Sequence, residues 1–226
     1  MKNKEDVCLV VQARLGSERL PGKMLKPFAE SNLVDILFKK LKKLKNIPQS
    51  NIFFSAYEQE LKDVAIENRV NIYDRSEESA NSEGQPLSEI YEWYNVLPFK
   101  YVVLVSACNP LLKVSTIDDF IESFINSEKE GGFAVFEKKT YYWDKNFKPI
   151  TDWKDSTIMN TKYVDPIYEA AHCLYASKMD FIAEDFWMDN KSPAEPELFT
   201  MDEIEAFDID HEWQFKVAEI LYDNIR

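Results

Sequence analysis

The sequence predicts a three-layer α/β fold, in which a mainly parallel β-sheet is flanked by helices. Apolar runs of strand length alternate with segments of helical period along the first half of the chain, which is the pattern of successive βα units. The 226 residues are 45% hydrophobic and 14% aromatic, so the chain can bury a sizeable core. Two small domains would fit this length, but the even pattern favours a single domain over residues 1–226.

Six apolar runs are predicted to be β-strands because they have strand length and end at polar or turn-forming residues. They cover residues 7–11, 52–56, 70–73, 101–106, 133–137 and 170–177. The first four belong to βα units, and together with their helices these units account for the chain up to residue 127.

Helices are predicted where apolar residues recur with helical period. These segments cover residues 33–44, 58–68, 86–95, 116–127, 179–187 and 212–223. Ser115 or Thr116 is expected to cap the fourth helix. Four lysines lie opposite the apolar face of the first helix, and we expect them to face solvent: Lys39, Lys40, Lys42 and Lys43.

Residues 138–168 have no clean strand or helix period and contain many aromatic, charged and proline residues. The aromatic side chains of this segment are too numerous for a disordered linker: Tyr141, Tyr142, Trp143, Phe147 and Trp153. We therefore interpret residues 138–168 as a projecting segment within the domain, which packs either on its own subunit or on another surface.

Composition excludes several classes of protein. The net charge of −13 is spread along the chain, which argues against a general binder of nucleic acid or of anionic membranes. Cys8, Cys108 and Cys173 are far apart within apolar runs, so neither a disulfide framework nor a zinc site is indicated. No apolar stretch approaches the roughly 20 residues that span a bilayer, and no signal peptide is evident. We expect a cytoplasmic protein.

The segment Gln12–Lys23, QARLGSERLPGK, directly follows the first predicted strand and contains Gly16 and Gly22, two of only five glycines in the chain. Glycines let backbone N–H groups approach a ligand closely. The alternative is a solvated connection whose basic residues decorate the surface. The combination of glycines, cations and a preceding buried strand favours a polyphosphate site.

Three cations lie within ten residues of this loop: Arg14, Arg19 and Lys23. Arginine makes forked contacts with phosphate oxygens, and lysine acts as a point charge. The loop is neither a Walker loop, which would read GxxxxGK followed by Ser or Thr, nor the dinucleotide motif GxGxxG.

A second chemical motif lies near the end of the chain, at Phe207-Asp208-Ile209-Asp210. If this segment forms a short strand, its alternation places Asp208 and Asp210 on one face, where both carboxylates can share a magnesium ion. The alternative is a pair of exposed acids before a helix, with Asp210 as the N-cap.

The loop QARLGSERLPGK resembles the N-terminal signature of the cytidylyltransferase family that contains CMP-sialic acid synthetases, CMP-Kdo synthetases and spore-coat polysaccharide nucleotidyltransferases. Its LPGK ending is most similar to the spore-coat branch. The resemblance implies a Rossmann-like nucleotidyltransferase fold whose loop holds the triphosphate of CTP, with Arg14 and Lys23 on the phosphates. It also assigns nucleotide contacts to other loop residues: Ala13, Gly16, Ser17 and Arg19.

The segment AFDIDHEWQFKVAEIL resembles the C-terminal signature of the same family, in which a DID run precedes a helix. The resemblance implies that Asp208 and Asp210 bind Mg²⁺ and that Asp210 is catalytic together with Arg14 and Lys23. Gln214 stands where the family usually carries a third acid.

The segment VVLVSACNPLLKVSTIDDFI resembles the strand, loop and helix that lie between the two signatures. The resemblance places Ala107 and Asn109 beside the nucleotide and Ser106 beside the acceptor. Cys108 replaces an aspartate of the spore-coat branch, and Leu112 replaces an arginine of the sialic acid branch. These departures concern the acceptor rather than the nucleotide.

Two weaker matches complete the resemblance. Ala171-His172-Cys173-Leu174-Tyr175 stands where sialic acid enzymes read Asn-Gly-Ala-Ile-Tyr, so Tyr175 is kept, and His172 either contacts a different acceptor or is a hydrogen-bonded structural residue. Arg75 follows the third strand, where the family carries Arg-Pro, and is an expected nucleotide contact.

The resemblance implies an enzyme that transfers CMP from CTP to an acidic sugar, such as a sialic acid-like nonulosonate or a related 2-keto acid, and releases pyrophosphate during surface glycan biosynthesis. One alternative is a cytidylyltransferase for a phosphonate or a phosphorylated metabolite. Another is a nucleotide-binding protein without turnover. In the resembled family the region of residues 138–168 completes a homodimer, so we also expect a homodimer.

Overall fold

The computed structural model describes residues 1–81, 84–151, 160–184 and 196–225. Within these residues seven β-strands form one sheet. The strands are β1 (Val7–Gln12), β2 (Ile52–Ala56), β3 (Asn71–Asp74), β4 (Tyr101–Val105), β5 (Gly131–Lys138), β6 (Ile167–Lys178) and β7 (Glu197–Thr200).

The helices lie between the strands and after the last one. They are α1 (Leu33–Leu41), α2 (Gln59–Asn68), α3 (Glu77–Ala80), α4 (Leu87–Ile90), α5 (Val114–Asn126), α6 (Met179–Ala183) and α7 (Glu212–Ile225). Short 3₁₀ turns cover Lys4–Asp6, Gln49–Asn51, Glu92–Asn95, Thr161–Tyr163 and Glu203–Ala206.

The strand order of the sheet is β3-β2-β1-β4-β6-β5-β7. The pairs β3/β2, β2/β1, β1/β4 and β5/β7 are parallel, whereas β6 runs antiparallel to both β4 and β5. The prediction of a mainly parallel α/β sheet is confirmed. The chain winds outward from β1 to β3 and then returns to β4 on the other side of β1, so the topology switches between β1 and β4. Open α/β sheets bind ligands at the carboxyl ends of the strands at such a switch.

The central strand β1 is buried on both faces, which establishes the three layers. Val7, Leu9 and Val11 belong to a core formed with α1, α2 and α5, while Cys8 and Val10 belong to a second core on the opposite face. The second core contains Trp93, Met179 and Ile182. All five residues from Val7 to Val11 have no exposed surface, as the continuous apolar run predicts for an internal parallel strand.

Several local predictions differ from the structure. Residues 86–95 form α4 and a 3₁₀ turn rather than one helix, and α5 begins at Val114 with Lys113 at its N-cap, so Ser115 and Thr116 lie inside the helix. The cause at α5 is a tertiary contact, because the Lys113 N–H donates to a Glu205 carboxylate oxygen at 2.9 Å. The part of the predicted helix 179–187 that lies beyond residue 184 is outside the described residues.

One of the four lysines that were predicted to face solvent is not exposed. Lys40 is half-buried and donates hydrogen bonds to the carbonyl oxygens of Pro110 and Leu112, the latter at 2.7 Å. Burial lowers the pKa of Lys40 to about 8. Lys40 therefore holds the loop that follows β4 against α1.

The predicted segment 138–168 coincides with the connection from β5 to β6, and residues 152–159 of it, which include Trp153, are outside the described residues. Its described first half forms a turn in which the Asp144 carboxylate accepts two backbone hydrogen bonds at 2.8 Å. Trp143, Phe147 and Ile150 are exposed by 49%, 87% and 60%. This chain alone therefore does not bury these side chains.

None of the helices in the described part of the chain is both long and apolar enough to span a bilayer.

Candidate active site

A cleft of about 630 Å³ opens at the carboxyl ends of β1 and β4, where the topology switches. Ten of the residues that the sequence predicts for a site line this cleft: Ala13, Arg14, Ser17, Arg19, Lys23, Arg75, Ser106, His172, Tyr175 and Asp210. The fold therefore brings the N-terminal loop, the loop after β4, strand β6 and the DID segment to one place.

Four predicted site residues do not line the cleft: Gly16, Ala107, Asn109 and Asp208. Ala107 and Asn109 are each 4% exposed, and the Asn109 side chain donates to the carbonyl oxygen of Ala206 at 3.0 Å. Asn109 thus ties the loop after β4 to the segment that precedes Asp208, behind the wall of the cleft.

The loop after β1 is folded back on itself. Gly22 has a φ of +67°, in the left-handed region that glycine favours, and its N–H donates to the Leu15 carbonyl at 3.2 Å. The Leu15 N–H is held in turn by the Glu58 carboxylate at 2.7 Å. Gly16 does not have a positive φ, and a Cβ at this residue would meet no atom within 4 Å, so of these two glycines only Gly22 is conformationally required.

Lys23 joins the two sequence signatures. Its side chain is 8% exposed, its Nζ donates to the Ile209 carbonyl at 2.6 Å, and it lies 3.3 Å from the Asp210 carboxylate. Burial lowers the pKa of Lys23, but Cys108, Asp208 and Asp210 raise this pKa by more, so the net shift is upward. Lys23 therefore remains a cation at the floor of the cleft.

Asp210 is paired with two cations of the N-terminal loop. Besides Lys23, the Arg19 guanidinium lies 2.7 Å from the Asp210 carboxylate, and the Arg19 side chain is 60% exposed. An incoming anion can therefore reach Arg19 readily. Binding of polyphosphate would replace the carboxylate partner of both cations.

Two further guanidinium groups lie along the same cleft. Arg14 donates to the Ala80 carbonyl at 3.2 Å, and the buried Arg75 donates from Nε to the Ser79 hydroxyl at 2.9 Å. Burial lowers the pKa of Arg75 to about 10, Glu92 opposes this shift, and the charge of Arg14 adds to it. Both groups are anchored by neutral partners, so their charges stay available to an anion.

Asp208 is the acid of the site with the least favourable surroundings. Burial raises its pKa, and the neighbouring Asp210 carboxylate raises it further. Its Oδ1 is buried without a hydrogen-bond partner in the described part of the chain. A buried carboxylate oxygen without a partner is costly, so the position suits a cation that the chain itself does not supply.

The two aspartates fit a magnesium site that is completed by other ligands. Across the described residues no group of three His, Cys, Asp or Glu side chains could hold a metal ion. Magnesium commonly uses one or two carboxylates together with water and substrate phosphates. Asp208 and Asp210 supply that number, and the cations beside them, Lys23 and Arg19, suit phosphates.

The DID segment is not the short strand that the alternation predicts, since residues 207–210 have no strand partner among the described residues. It is held instead by the Ile209 N–H, which donates to the Cys108 carbonyl at 3.1 Å, and by the burial of the Ile209 side chain. Asp210 is not the N-cap of α7. The Gln214 Oε1 accepts from the N–H groups of Asp210 and His211 at 2.9 and 2.8 Å, in the manner of the third residue of a capping box.

The other end of the cleft is formed by Ser106, His172 and Tyr175. His172 Nδ1 lies 3.0 Å from the Tyr175 hydroxyl, and burial raises the pKa of Tyr175. His172 has a φ of +52°, a conformation that costs a non-glycine residue about 1–2 kcal/mol. The sequence resemblance aligns this position with a glycine of the sialic acid branch, and glycine adopts this conformation without that cost.

Cys108 lies at the floor between the two ends of the cleft. Its N–H donates to the Ser106 hydroxyl at 3.1 Å. Burial raises the pKa of the Cys108 thiol and the Lys23 charge lowers it, with a net upward shift. The thiol is therefore protonated, and it does not replace the negative charge of the aspartate that the spore-coat branch carries.

Several lining residues were not predicted: Gln12, Glu18, Met24, Ile90, Tyr91, Leu104, Val105 and Cys108. Gln12 ends β1, and its Oε1 accepts from the Trp93 Nε1 at 2.8 Å. The position of Gln12 at a strand end was a usable signal. Ile90 and Tyr91 come from the segment whose helix was predicted too long, so their approach to the cleft could not be inferred.

Comparison with known proteins agrees with this geometry. Residues 8–206 match the family model described as cytidylyltransferase. A stretch of 32 residues is 53% identical to the spore coat polysaccharide biosynthesis protein SpsF of Bacillus subtilis (strain 168), and it covers 14% of this chain and 13% of that protein.

Solved structures share the fold at low identity. CMP:2-keto-3-deoxy-manno-octonic acid synthetase, complexed with CTP, is 8% identical with a TM-score of 0.72 and covers 97% of this chain and 99% of its own. A 4-diphosphocytidyl-2C-methyl-D-erythritol synthase from Anaerococcus prevotii DSM 20548 is 11% identical with a TM-score of 0.66 and 96% coverage of both chains. A cytidylyltransferase from Leptospira borgpetersenii serovar Hardjo-bovis (strain JB197) is 14% identical with a TM-score of 0.64, covering 95% of this chain and 85% of its own.

These neighbours confirm the expected nucleotidyltransferase fold. The family model covers most of the chain, from the second residue of β1 to the residue before the DID segment begins at Phe207. The chain therefore belongs to the cytidylyltransferase family, whose reaction is the transfer of CMP from CTP.

Proposed function

We propose that this protein transfers CMP from CTP to an acidic sugar, such as a sialic acid-like nonulosonate or a related 2-keto acid, and releases pyrophosphate. The observation that carries the proposal is the contact of Lys23 with Asp210 and with the Ile209 carbonyl. This contact joins the phosphate loop and the DID segment across one cleft, as a site for a nucleotide and its metal requires.

The charge distribution of the cleft supports polyphosphate binding. The chain carries a net charge of −13, yet four cationic side chains line this one cleft: Arg14, Arg19, Lys23 and Arg75. Arg19 and Lys23 are paired with Asp210 in the free protein, and phosphate oxygens would take over these two cations. Arg14 and Arg75 hydrogen-bond to neutral groups, so they can bind phosphate oxygens without giving up an ion pair.

Asp208 and Asp210 would hold Mg²⁺. When bound, the metal neutralises phosphate charge and acts as a Lewis acid. The partnerless Oδ1 of Asp208 supports this assignment, and Asp210 would become available to the metal when Arg19 and Lys23 turn to phosphate.

The transfer breaks one bond and forms another. The acceptor oxygen attacks the α-phosphorus, the bond from this phosphorus to the bridging oxygen breaks, and pyrophosphate leaves with the electron pair. Charge develops on the phosphoryl oxygens, and cations fixed in advance stabilise it. We assign this role to Arg14 and Lys23, with Asp210 as the third catalytic residue through the metal.

The acceptor would occupy the end of the cleft that Ser106, His172 and Tyr175 form. The resemblance of both signatures to CMP-sugar synthetases supports an acidic sugar, in the context of surface glycan biosynthesis. A phosphonate or a phosphorylated metabolite is a second candidate, because Leu112 stands where the sialic acid branch has arginine. Leu112 is apolar and fully buried, so this position offers no charged group that could bind the acceptor.

We also propose a homodimer that forms through residues 138–168. Three large apolar side chains of this segment, Trp143, Phe147 and Ile150, are exposed on the single chain. Exposed apolar groups concentrated in one segment favour a protein partner, and the resembled family uses the same region for dimerisation.

The proposal is tested by pyrophosphate release from CTP and Mg²⁺ across sialic, legionaminic, pseudaminic, Kdo, phosphonate and phosphosugar acceptors, with ATP and UTP as alternative nucleotides. We expect turnover with CTP and a 2-keto acid sugar, and none for Asp210→Ala. Turnover only with a phosphonate or a phosphorylated acceptor would select the second candidate. Magnesium-dependent CTP binding without pyrophosphate release from any acceptor would contradict an enzymatic function.

A further inference from the structure

His172 lies in an irregular part of β6 beside the cleft. The register between β5 and β6 shifts between Phe133, which pairs with Tyr175, and Val135, which pairs with Ala170. On the side of β6 that pairs with β5, residues 171–174 therefore lie opposite the single residue Ala134. Such irregularities redirect side chains and are common next to active sites.

The backbone of His172 has a strained conformation, and its side chain lines the cleft. Its φ of +52° suits glycine, whereas its imidazole is exposed and lines the cleft. A buried structural histidine would gain packing in return for this strain, but an exposed one gains little. Strain of this kind at a cleft indicates that the position of the side chain matters for function.

Two neighbouring rings fix the orientation of the imidazole. The Tyr175 hydroxyl lies 3.0 Å from Nδ1, and the Phe133 ring meets both the imidazole and the Tyr175 ring edge to face, at 6.1 and 5.0 Å between centroids. When Nδ1–H donates to the tyrosine oxygen, the lone pair lies on Nε2. No partner for Nε2 is present in the described part of the chain.

His172 lies next to Ser106, at the acceptor end. The Ser106 N–H donates to the carbonyl oxygen of Cys173, the residue after His172, at 2.9 Å. The four cations that suit phosphate line the same cleft, and none of their hydrogen bonds or ion pairs within the described residues involves His172. His172 is therefore placed to meet the acceptor rather than the triphosphate.

We propose that His172 is the general base of the reaction and removes the proton from the attacking hydroxyl of the acceptor. This inference rests on the proposed cytidylyl transfer. As the oxygen forms its bond to the α-phosphorus, its proton passes to Nε2 of His172, and pyrophosphate leaves with the electrons of the broken P–O bond. His172 then returns the proton to water, and Tyr175 acts as the positioning residue that holds the imidazole in place.

The test compares the wild type with His172→Gly and Tyr175→Phe. Glycine suits the left-handed backbone, so His172→Gly is expected to fold with an unchanged or higher Tm. It should lose about 100-fold or more in kcat, within the range of general base catalysis, while its affinity for CTP stays unchanged. Added imidazole should restore part of kcat in His172→Gly and leave the wild type unaffected, and Tyr175→Phe should lose less kcat than His172→Gly.

Rescue by imidazole is the decisive readout, because a purely structural or binding role would not respond to a soluble base. A kcat for His172→Gly equal to that of the wild type overturns the inference and leaves the proposed function intact. So does a loss that imidazole does not restore and that appears mainly in KM for the acceptor. If the wild type itself releases no pyrophosphate with any acceptor, the proposed function fails and this inference fails with it.

Discussion

Replacing Asp208 by asparagine is expected to make the protein more stable and less active. Burial and the Asp210 carboxylate raise the pKa of Asp208 above its ordinary value of 3.8. The native state therefore holds a proton at pH values where the unfolded state has lost it. As the pH rises from 3.8 through the folded-state pKa, the free energy of unfolding falls, and the full cost of this carboxylate is present above the folded-state pKa.

The magnitude follows from the partnerless oxygen. A buried polar group without a hydrogen bond costs about 1–3 kcal/mol, and more when it is charged. Asparagine removes the charge and turns one end of the group into a donor beside Asp210. Since 1 kcal/mol corresponds to about 2–4 °C in a chain of this length, we expect Asp208→Asn to raise Tm by at least about 3 °C in metal-free buffer.

Magnesium with nucleotide should narrow this difference. A ligand present at ten times its Kd stabilises the native state by about 1.4 kcal/mol, so Mg²⁺ with CTP should raise the Tm of the wild type and leave Asp208→Asn unchanged. Scanning calorimetry at neutral pH, with and without Mg²⁺ and CTP, measures both effects. Asp223→Asn, an exposed position on α7, is the control for the change in net charge. A variant that is less stable than the wild type, or that gains equally from Mg²⁺, would refute the reasoning.

Three further outcomes are expected. Lys23→Met should lower the rate of pyrophosphate release by about 10²–10³-fold, as for other lost stabilisers of transition-state charge. The control Lys26→Met, which removes an ion pair with Glu212 outside the cleft, should retain activity. Equal losses in the two variants would show that only the net charge matters. By titration calorimetry, Arg19→Gln should bind Mg²⁺ more tightly in the absence of nucleotide and should bind CTP less tightly. Each affinity should change by no more than about fivefold, because an exposed ion pair contributes up to about 1 kcal/mol. An unchanged Mg²⁺ affinity would mean that Arg19 does not compete with the metal for Asp210. Phe147→Asp should convert a dimer to a monomer in sedimentation velocity while its circular dichroism spectrum stays that of the folded chain, and an unchanged mass would place the dimer interface elsewhere.

The parallel half of the fold could be predicted because its signals are local. β1, β2 and β4 are short runs of mainly apolar residues, and burial of Val7–Val11 on both faces follows from the absence of charged and strongly polar residues in that run. The antiparallel position of β6 between β4 and β5 is set by pairings between residues far apart in sequence. No periodicity of Ala170–Ser177 encodes it. The four-residue strand β7 was missed for the related reason that its identity depends on the edge of β5.

The sequence predicted charged residues that the structure brings into one cleft, and it did not predict the framework behind that cleft. Lys23 and Asp210 lie in short motifs whose residue types already suit phosphate and metal. Asn109 and Lys40 belong to the same region, but they act through backbone carbonyls of Ala206, Pro110 and Leu112. Any residue can supply a carbonyl, so a sequence pattern carries no record of such contacts.

The arrangement of charges also explains why the free protein tolerates two adjacent acids. Lys23 and Arg19 balance Asp210 while the cleft is empty, and Asp208 bears the cost of a buried oxygen without a partner among the described residues. A nucleotide with its metal would exchange both sets of partners in one step, because the phosphates take the cations and the metal takes the carboxylates. Binding of CTP and binding of Mg²⁺ are therefore expected to be strongly coupled, each being weak without the other. The two acids therefore differ in their roles. Asp210 forms the ion pairs that hold the free site together, and the partnerless oxygen of Asp208 favours binding of the metal.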